Sequence, residues 1–280
     1  MQPEITAYHH PATGRVTYLV VDPATLLCAF VDPVLDYDPL TQAVDTSFVD
    51  AIVAQVRARD LGPTWILETG LHTGHLSAAG HLKYETGASI CIGAGVLESL
   101  QRLVPVLGAD GVDLDGWDFD KLARDGDDLP MGGLEFVAIA LPGRLPGATA
   151  YRLGDVVFTG EALLSPALGL GDSNAPGADA AGLHAAARRL LDLPGETRLL
   201  VGQTGADPDS WNTTVAQQKA DNIDAGDAVP SEAFVAHRAS GSAAPGPLVA
   251  PALQLGVRAF RLPPAGDDGR RFPNVDISSL

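Results

Sequence analysis

Short β-rich runs alternate with turn signals through the first third of the chain: "RVTYLVVD", "LLCAFVDPV", "PTWILET" and "ASICIGAGV". Between the second and third lies "TSFVDAIVAQVRARDLG", where Phe48, Ile52 and Val56, together with Val49 and Val53, recur at helical spacing and Gly62 is the expected stop. A second helix is expected over "GHLSAAGHLKYETG", ending at Gly87, and the acidic stretch from Asp110 to Asp128 reads as irregular. Strand patterns return in "LEFVAIAL", "ATAYRLG", "DVVFTGEAL" and "TRLLVGQ", with helical patterns in "ADAAGLHAAARRLLDL" and "DSWNTTVAQQKADNIDAG". The tail alternates "SEAFVAHRA", a Ser/Ala/Pro/Gly loop and "PALQLGVRAFRLPP". Strands mixed with helices from end to end confine the chain to layered α/β packing with antiparallel or mixed sheets. A chain of 280 residues can bury a full core as one large domain or two small ones.

Charge narrows the partners. With 18 Lys+Arg against 35 Asp+Glu the net charge is −17, a surface that repels phosphate backbones and anionic lipid. Nucleic acid and membrane are therefore not expected partners, and no run approaches the ~18 uninterrupted apolar residues that a membrane span needs. The N-terminal "MQPEITAYHHPATGRVTYLV" has no basic segment leading into an apolar one, so the expectation is a cytoplasmic protein without a signal peptide. Cys28 and Cys91 lie in apolar strand-like runs and read as reduced, buried thiols rather than nucleophiles.

The chemistry-bearing segment is "WILETGLHTGHLSAAGHL", which places His72, His75 and His81 just beyond an apolar strand. Histidines gathered at a strand end suggest metal. Gly70 and Gly74 stand on either side of His72, where further ligands could be.

This segment resembles the metallo-β-lactamase fold, whose metal loop reads His-x-His-x-Asp-His after a strand. "VDPVLDYDP", "LKYETGASICIGAGV", "LPGRLPG", "GDVVFTGEALL", "PGADAAGLHAAARRLLDLPGETRLL" and "TTVAQQKADN" resemble, in order and spacing, the branch containing persulfide dioxygenases and glyoxalase II-like hydrolases. The resemblance implies an αββα sandwich, a four-layer α/β (α+β) fold of two mixed β-sheets flanked by helices. It also implies one domain over residues 1–280, with 225–280 a C-terminal extension packed on it, and a homodimer.

Set against the family pattern, the site is depleted. The first histidine position is Gly70 and the aspartate position is Gly74, while His72 and His75 keep imidazoles. The next histidine position, in the turn "LPGRLPG", is Arg144, a cation with no lone pair to offer a metal. The bridging aspartate position is Glu161, and the final histidine position is Gln203 in "LLVGQTG", a poor ligand for zinc or iron. Positions that shape the family site match Asp172 and Asn174. The mononuclear iron of a persulfide dioxygenase would use the positions of Gly70, Arg144 and Glu161, none of which keeps the family's residue.

Two expectations follow. One is a catalytically inactive or functionally diverged homologue with no metal, which binds a small molecule in the former cleft or a protein partner. In it Arg144 fills the hole and neutralises Glu161 or Glu68. The other is a diverged hydrolase with a rebuilt mononuclear or metal-free site using His72, His75, Glu161 and Arg144. Any ion it held would be a single weakly bound zinc or iron. His72, His75 and Arg144 are then the candidate catalytic groups, with a histidine as general base and Arg144 steadying an anion. His81 falls six residues after His75, off the spacing that would share a helical face, and reads as a surface or packing residue. His9 and His10 read as exposed on an edge strand. Ser165, Ser173 and Ser210 lie in no nucleophile elbow, and "DLDGWDFDKLARDGDD" lacks calcium-loop spacing.

Overall fold

The computed structural model describes residues 2–141, 143, 145–172, 179–240, 246–266, 269–275 and 277. Arg144, Ser173 and Asn174 thus lie outside the described residues.

The first half of the chain runs β1 (Glu4–His9), β2 (Val16–Val21), β3 (Leu27–Val31), β4 (Val34–Tyr37), β5 (Val44–Asp45), α1 (Ser47–Ala58), β6 (Gly62–Leu67), β7 (Leu76–Ser77), α2 (Ala79–Thr86), β8 (Ser89–Gly93), α3 (Val96–Leu107) and β9 (Lys121–Ala123). The second half runs β10 (Asp128–Met131), β11 (Leu134–Ala140), β12 (Thr149–Leu153), β13 (Val156–Gly160), α4 (Ala180–Leu191), β14 (Arg198–Val201), β15 (Asn212–Thr214), α5 (Val215–Asp221), α6 (Ser231–Ser240) and α7 (Val249–Gly256).

Each half supplies a mixed six-stranded sheet, ordered β1-β2-β3-β6-β8-β9 and β10-β11-β12-β13-β14-β15; a small sheet β5-β4-β7 sits beside them. In the first sheet, antiparallel β1, β2 and β3 give way to parallel β3, β6, β8 and β9, because α1, α2 and α3 carry the chain back across the face.

The sequence of β2 shows why two sheets stack. Val16, Tyr18 and Val20 point to one side, where they meet Phe136, Tyr151 and Phe158 of the second sheet. Leu19 and Val21 point the other way and join Ile52, Leu100 and Leu253 of the outer helices. A strand apolar on both faces must be covered on both faces. A third cluster packs Val157 and Leu199 of the second sheet against Leu183, Leu190 and Phe234 of α4 and α6. Three apolar layers between four layers of structure make the αββα sandwich, as expected. Residues of the tail, among them Leu253, Phe260 and Phe272, belong to the core beneath the first sheet.

Several local expectations are corrected. Gly62 does not stop α1; the helix ends at Ala58, left-handed Asp60 turns the chain, and Gly62 begins β6. Gly87, with φ of 74°, does cap α2, which starts only at Ala79. Helix α3 was not anticipated, because Pro105 interrupts a pattern otherwise readable in buried Val96, Leu100, Leu103 and Leu107. The acidic stretch contains β9, and "DSWNTTVAQQKADNIDAG" divides into β15 and α5. No helix of the described residues is long and apolar enough to cross a membrane.

Candidate functional site

The site forms where the parallel strands of both sheets end. Asp32 follows β3, Glu68 and Thr69 follow β6, Glu161 follows β13 and Gln203 follows β14. The loop between β6 and β7 supplies His72 and His75, both buried, with ring centroids 4.2 Å apart.

On the first sheet's side the polar groups close on one another. Asp32, held at a positive φ of 48°, accepts Thr69 N and Thr69 Oγ1 at 2.8 Å each. His72 Nε2 lies 2.6 Å from Glu68 Oε2 and 3.4 Å from Asp32 Oδ1. Ser77 Oγ donates to the other Glu68 oxygen, and Tyr151 donates to the Glu68 carbonyl at 3.0 Å. Burial drives the Glu68 pKa up to about 7, with His72 opposing. Burial also works against charge on His72, but Asp32 and Glu68 outweigh it and raise its pKa to about 9. The direction is the same for both groups. Both shifts favour the protonated forms of Glu68 and His72, the first through burial and the second through the neighbouring acids.

On the second sheet's side the cation is Arg15, a residue the motifs did not single out. The turn closed by His10 N donating to Arg15 O, with Gly14 at φ 67°, ends β1 and places Arg15 just before β2. There Val16 N donates to Gly202 O at 3.1 Å, Thr204 N donates to Gly14 O at 2.9 Å, and Arg15 bridges Gln203. These bonds stitch the start of β2 to the loop after β14. They deliver the Arg15 guanidinium to Glu161, with which it forms an ion pair. Its side chain is 11% exposed. Burial lowers its pKa to about 10, against Asp32 and Asp172, so it stays charged at neutral pH.

The fit to a metal centre can be tested at each position. A Cβ on Gly74 would fall on the far end of the Arg15 guanidinium, so a side chain there requires Arg15 to shift. At Gly70 a Cβ would meet only Ala148 Cα, at 3.6 Å, so space remains but no donor atom does. The Gln203 amide donates at 3.5 Å to the Thr13 carbonyl. Donor atoms of His72, His75 and Glu161 lie within 4.8 Å of one another, as do those of Asp32, Glu68 and His72. The residues present therefore do not fit a two-metal centre, which needs donors at 70, 74 and 203.

The structure brings His72, His75 and Glu161 together as the motif implied, and Asp172 joins Arg15, Thr73, Gln203 and Leu248 around a cleft of about 280 Å³. The expected partnership of Arg144 with Glu161 or Glu68 falls outside the described residues; Arg15 and His72 are the described cations at those carboxylates. His81 is a packing residue of α2, 2.7 Å from Asp50. His10 is not exposed: it is buried edge-on against Phe48 and pairs with Asp36 at 2.8 Å. Cys28 and Cys91 are buried free thiols whose pKa values burial raises to about 12 and about 11. Sequence reasoning also missed the support of the Glu161 loop. Asp224 accepts from Leu170 N and Arg238, and Gln218 donates to the Leu164 carbonyl. The one early sign of Arg15 was its place at a strand start beside a glycine turn.

Comparison with known proteins agrees with this architecture. A metallo-beta-lactamase superfamily model matches residues 8–202. A beta-lactamase hydrolase-like protein of Xylella fastidiosa is 34% identical over 284 residues, covering 99% of this chain and 65% of its own length. Glyoxylase B2 of Dictyostelium discoideum is 30% identical over 286 residues, covering 96% of this chain and 94% of that protein. The crystal structure of ETHE1 from Myxococcus xanthus superposes with a TM-score of 0.73 at 26% identity, over 92% of this chain and 100% of that one. This chain therefore spans about two thirds of the length of the beta-lactamase hydrolase-like relative, and nearly all of the other two. Sandwich, strand-end loops and relatives agree: the chain belongs to the metallo-β-lactamase superfamily, in the branch of the persulfide dioxygenases and glyoxalase II-like hydrolases.

Proposed function

We propose that this protein is a metal-free, functionally diverged member of its family, which binds a small molecule in the cleft beside the former metal centre. The observation that carries the reading is the Arg15–Glu161 ion pair. A guanidinium compensates the one acidic ligand that the second sheet still offers, and its tip lies where a side chain at position 74 would stand. The cleft that remains has one cationic wall at Arg15, hydrogen-bonding groups at Thr73, Asp172 and Gln203, and an apolar wall at Leu248 and Val249. That mixture suits a small polar ligand with one apolar edge. The hydrolases of the family need a metal-bound hydroxide, and Gly70, Gly74, Arg144 and Gln203 stand at positions that would supply ligands for it. The reading extends to a cytoplasmic homodimer.

Metal analysis of protein purified without chelator tests it. Less than ~0.1 equivalent of zinc or iron is expected, and a stoichiometric ion that survives dialysis would overturn it.

The mutual closeness of His72, His75 and Glu161 favours one second reading, a mononuclear hydrolase with a rebuilt site. It requires bound metal in the native chain and loss of hydrolytic activity in His72→Ala.

A further inference from the structure

A second cleft, of about 520 Å³, opens where β8, β9 and β11 end and α3 begins. It is nearly twice the size of the cleft beside Arg15 and shares no lining residue with it, so it is independent of the metal-free reading. We infer that this cleft binds a small organic phosphate, with the apolar body in the slot and the phosphate held by Arg102 and Arg124.

Three observations converge. First, the slot is built from residues with almost no side chain. A Cβ at Gly93 would fall on Thr149 Oγ1 and Gly147 O, and one at Gly95 would fall on Gly147 N. The turn before α3 therefore packs backbone to backbone on the segment before β12, and Ala94, Ala123, Ala140 and Ala148 complete the walls. Glycine and alanine leave an open, mostly apolar space of the size that small ligands occupy. Second, the cations of the lining are unclaimed. In this acidic chain Arg57, Arg59, Arg188, Arg189, Arg238 and Arg261 each hold an ion pair. Among the described residues no hydrogen bond or ion pair holds the guanidinium of Arg102 or Arg124, and both line this cleft. Third, two of the three acids in the lining are committed elsewhere. Asp125 accepts from Arg189 and Ala140 N, and Asp179 caps α4 by accepting from Ala181 N and Gly182 N.

Two guanidinium groups favour a phosphate over a carboxylate. One planar fork saturates a carboxylate, whereas a phosphate monoester carries close to two charges and enough free oxygens for both arginines. The net charge of −17 opposes any anion at long range, but at ~0.15 M salt that field decays over ~8 Å, so two near cations outweigh it. Glu98, the third acid of the lining, stands one turn before Arg102 on α3, and among the described residues no ion pair joins them. It limits the negative charge that the cleft accepts.

The test is calorimetric titration of the full-length protein with phenyl phosphate, and in parallel with inorganic phosphate and phenylacetate. Phenyl phosphate should bind with a Kd below ~1 mM, roughly fivefold or more tighter than either of the others. Arg102→Gln and Arg124→Gln should each weaken it about tenfold, and Glu98→Gln should tighten it about twofold. Arg57→Gln makes the same charge change away from the cleft and should stay within about twofold of wild type. All four residues are exposed, so the variants should fold. No binding of phenyl phosphate or inorganic phosphate at ~5 mM would overturn the inference, as would binding that both arginine variants leave unchanged. Equal weakening by Arg57→Gln and Arg102→Gln would reduce the effect to overall charge and overturn it too. Phenylacetate bound as tightly as phenyl phosphate would overturn the phosphate assignment. Stoichiometric zinc or iron in the native chain would overturn the metal-free reading and leave this site standing.

Discussion

The two sides of the former metal centre neutralise their carboxylates in different ways. On the first sheet, Glu68 and Asp32 share His72, which comes from the same strand-end loop as Glu68, four residues on. On the second sheet, Glu161 is paired with Arg15, which arrives from just before β2 of the other sheet, 146 residues away in sequence. One side is local, hydrogen-bonded and closed. The other is long-range and borders a cleft. Buried acids must be paired whatever else the site does, because an uncompensated buried charge destabilises by several kcal/mol. What differs is whether the compensating group is within reach of its own loop.

The sharpest way to break the comparison is at its closed end. Glu68→Ala leaves buried His72 with Asp32 as its remaining acid and takes away the acceptor of the Ser77 hydroxyl, so a loss of about 3–5 kcal/mol is expected in urea unfolding. Glu161→Ala should come next, at about 2–4 kcal/mol, because Arg15 borders a cleft that water can enter. In the Arg15→Ala background the same change should be much milder, and a double-mutant cycle without coupling would disprove the ion pair's role.

A smaller effect separates the two sides by pH. The folded pKa of His72 is raised to about 9 above an unfolded value near 6.5, and that of Glu68 to about 7 above 4.5. Both raised values mean that the folded state binds more protons. The stabilisation from His72 is complete below its unfolded pKa and is lost as pH rises through 9; Glu68 adds a loss of the same sign at lower pH. Stability should therefore fall by about 1–3 kcal/mol between pH 6 and 9.5, and His72→Gln should flatten that slope. Arg15, lowered to about 10, begins to lose its proton only at the top of this range, where its contribution has the opposite sign. The least effect is expected at His81→Ala: its pairing with half-exposed Asp50 is worth less than ~0.5 kcal/mol by thermal unfolding.

Much of the architecture was legible along the chain. Runs such as "VTYLVV" carry apolar residues at every position, and the helical spacing of Ile52, Val53 and Val56 is local information. Where a local signal was contradictory, the reading failed: Pro105 hid α3, and Gly62, a strand opener, passed for a helix stop. His10 misled in the same manner, since its burial comes from Phe48 and Asp36, neither of which is near it in sequence.

The sequence by itself determined the layered fold, the place of the site at the strand ends, and the absence of donors at Gly70 and Gly74. The first follows from periodicity, the others from the family resemblance together with the atoms each residue possesses. Tertiary structure alone decided which group took the vacated space. Arg15 carries no motif, and its importance arises because hydrogen bonds between Val16, Gly202, Thr204 and Gly14 bring the start of β2 against the loop after β14. A long, flexible, charged side chain can reach a carboxylate from many places in a sequence. Only the packing of one sheet on the other selects the one from which it does.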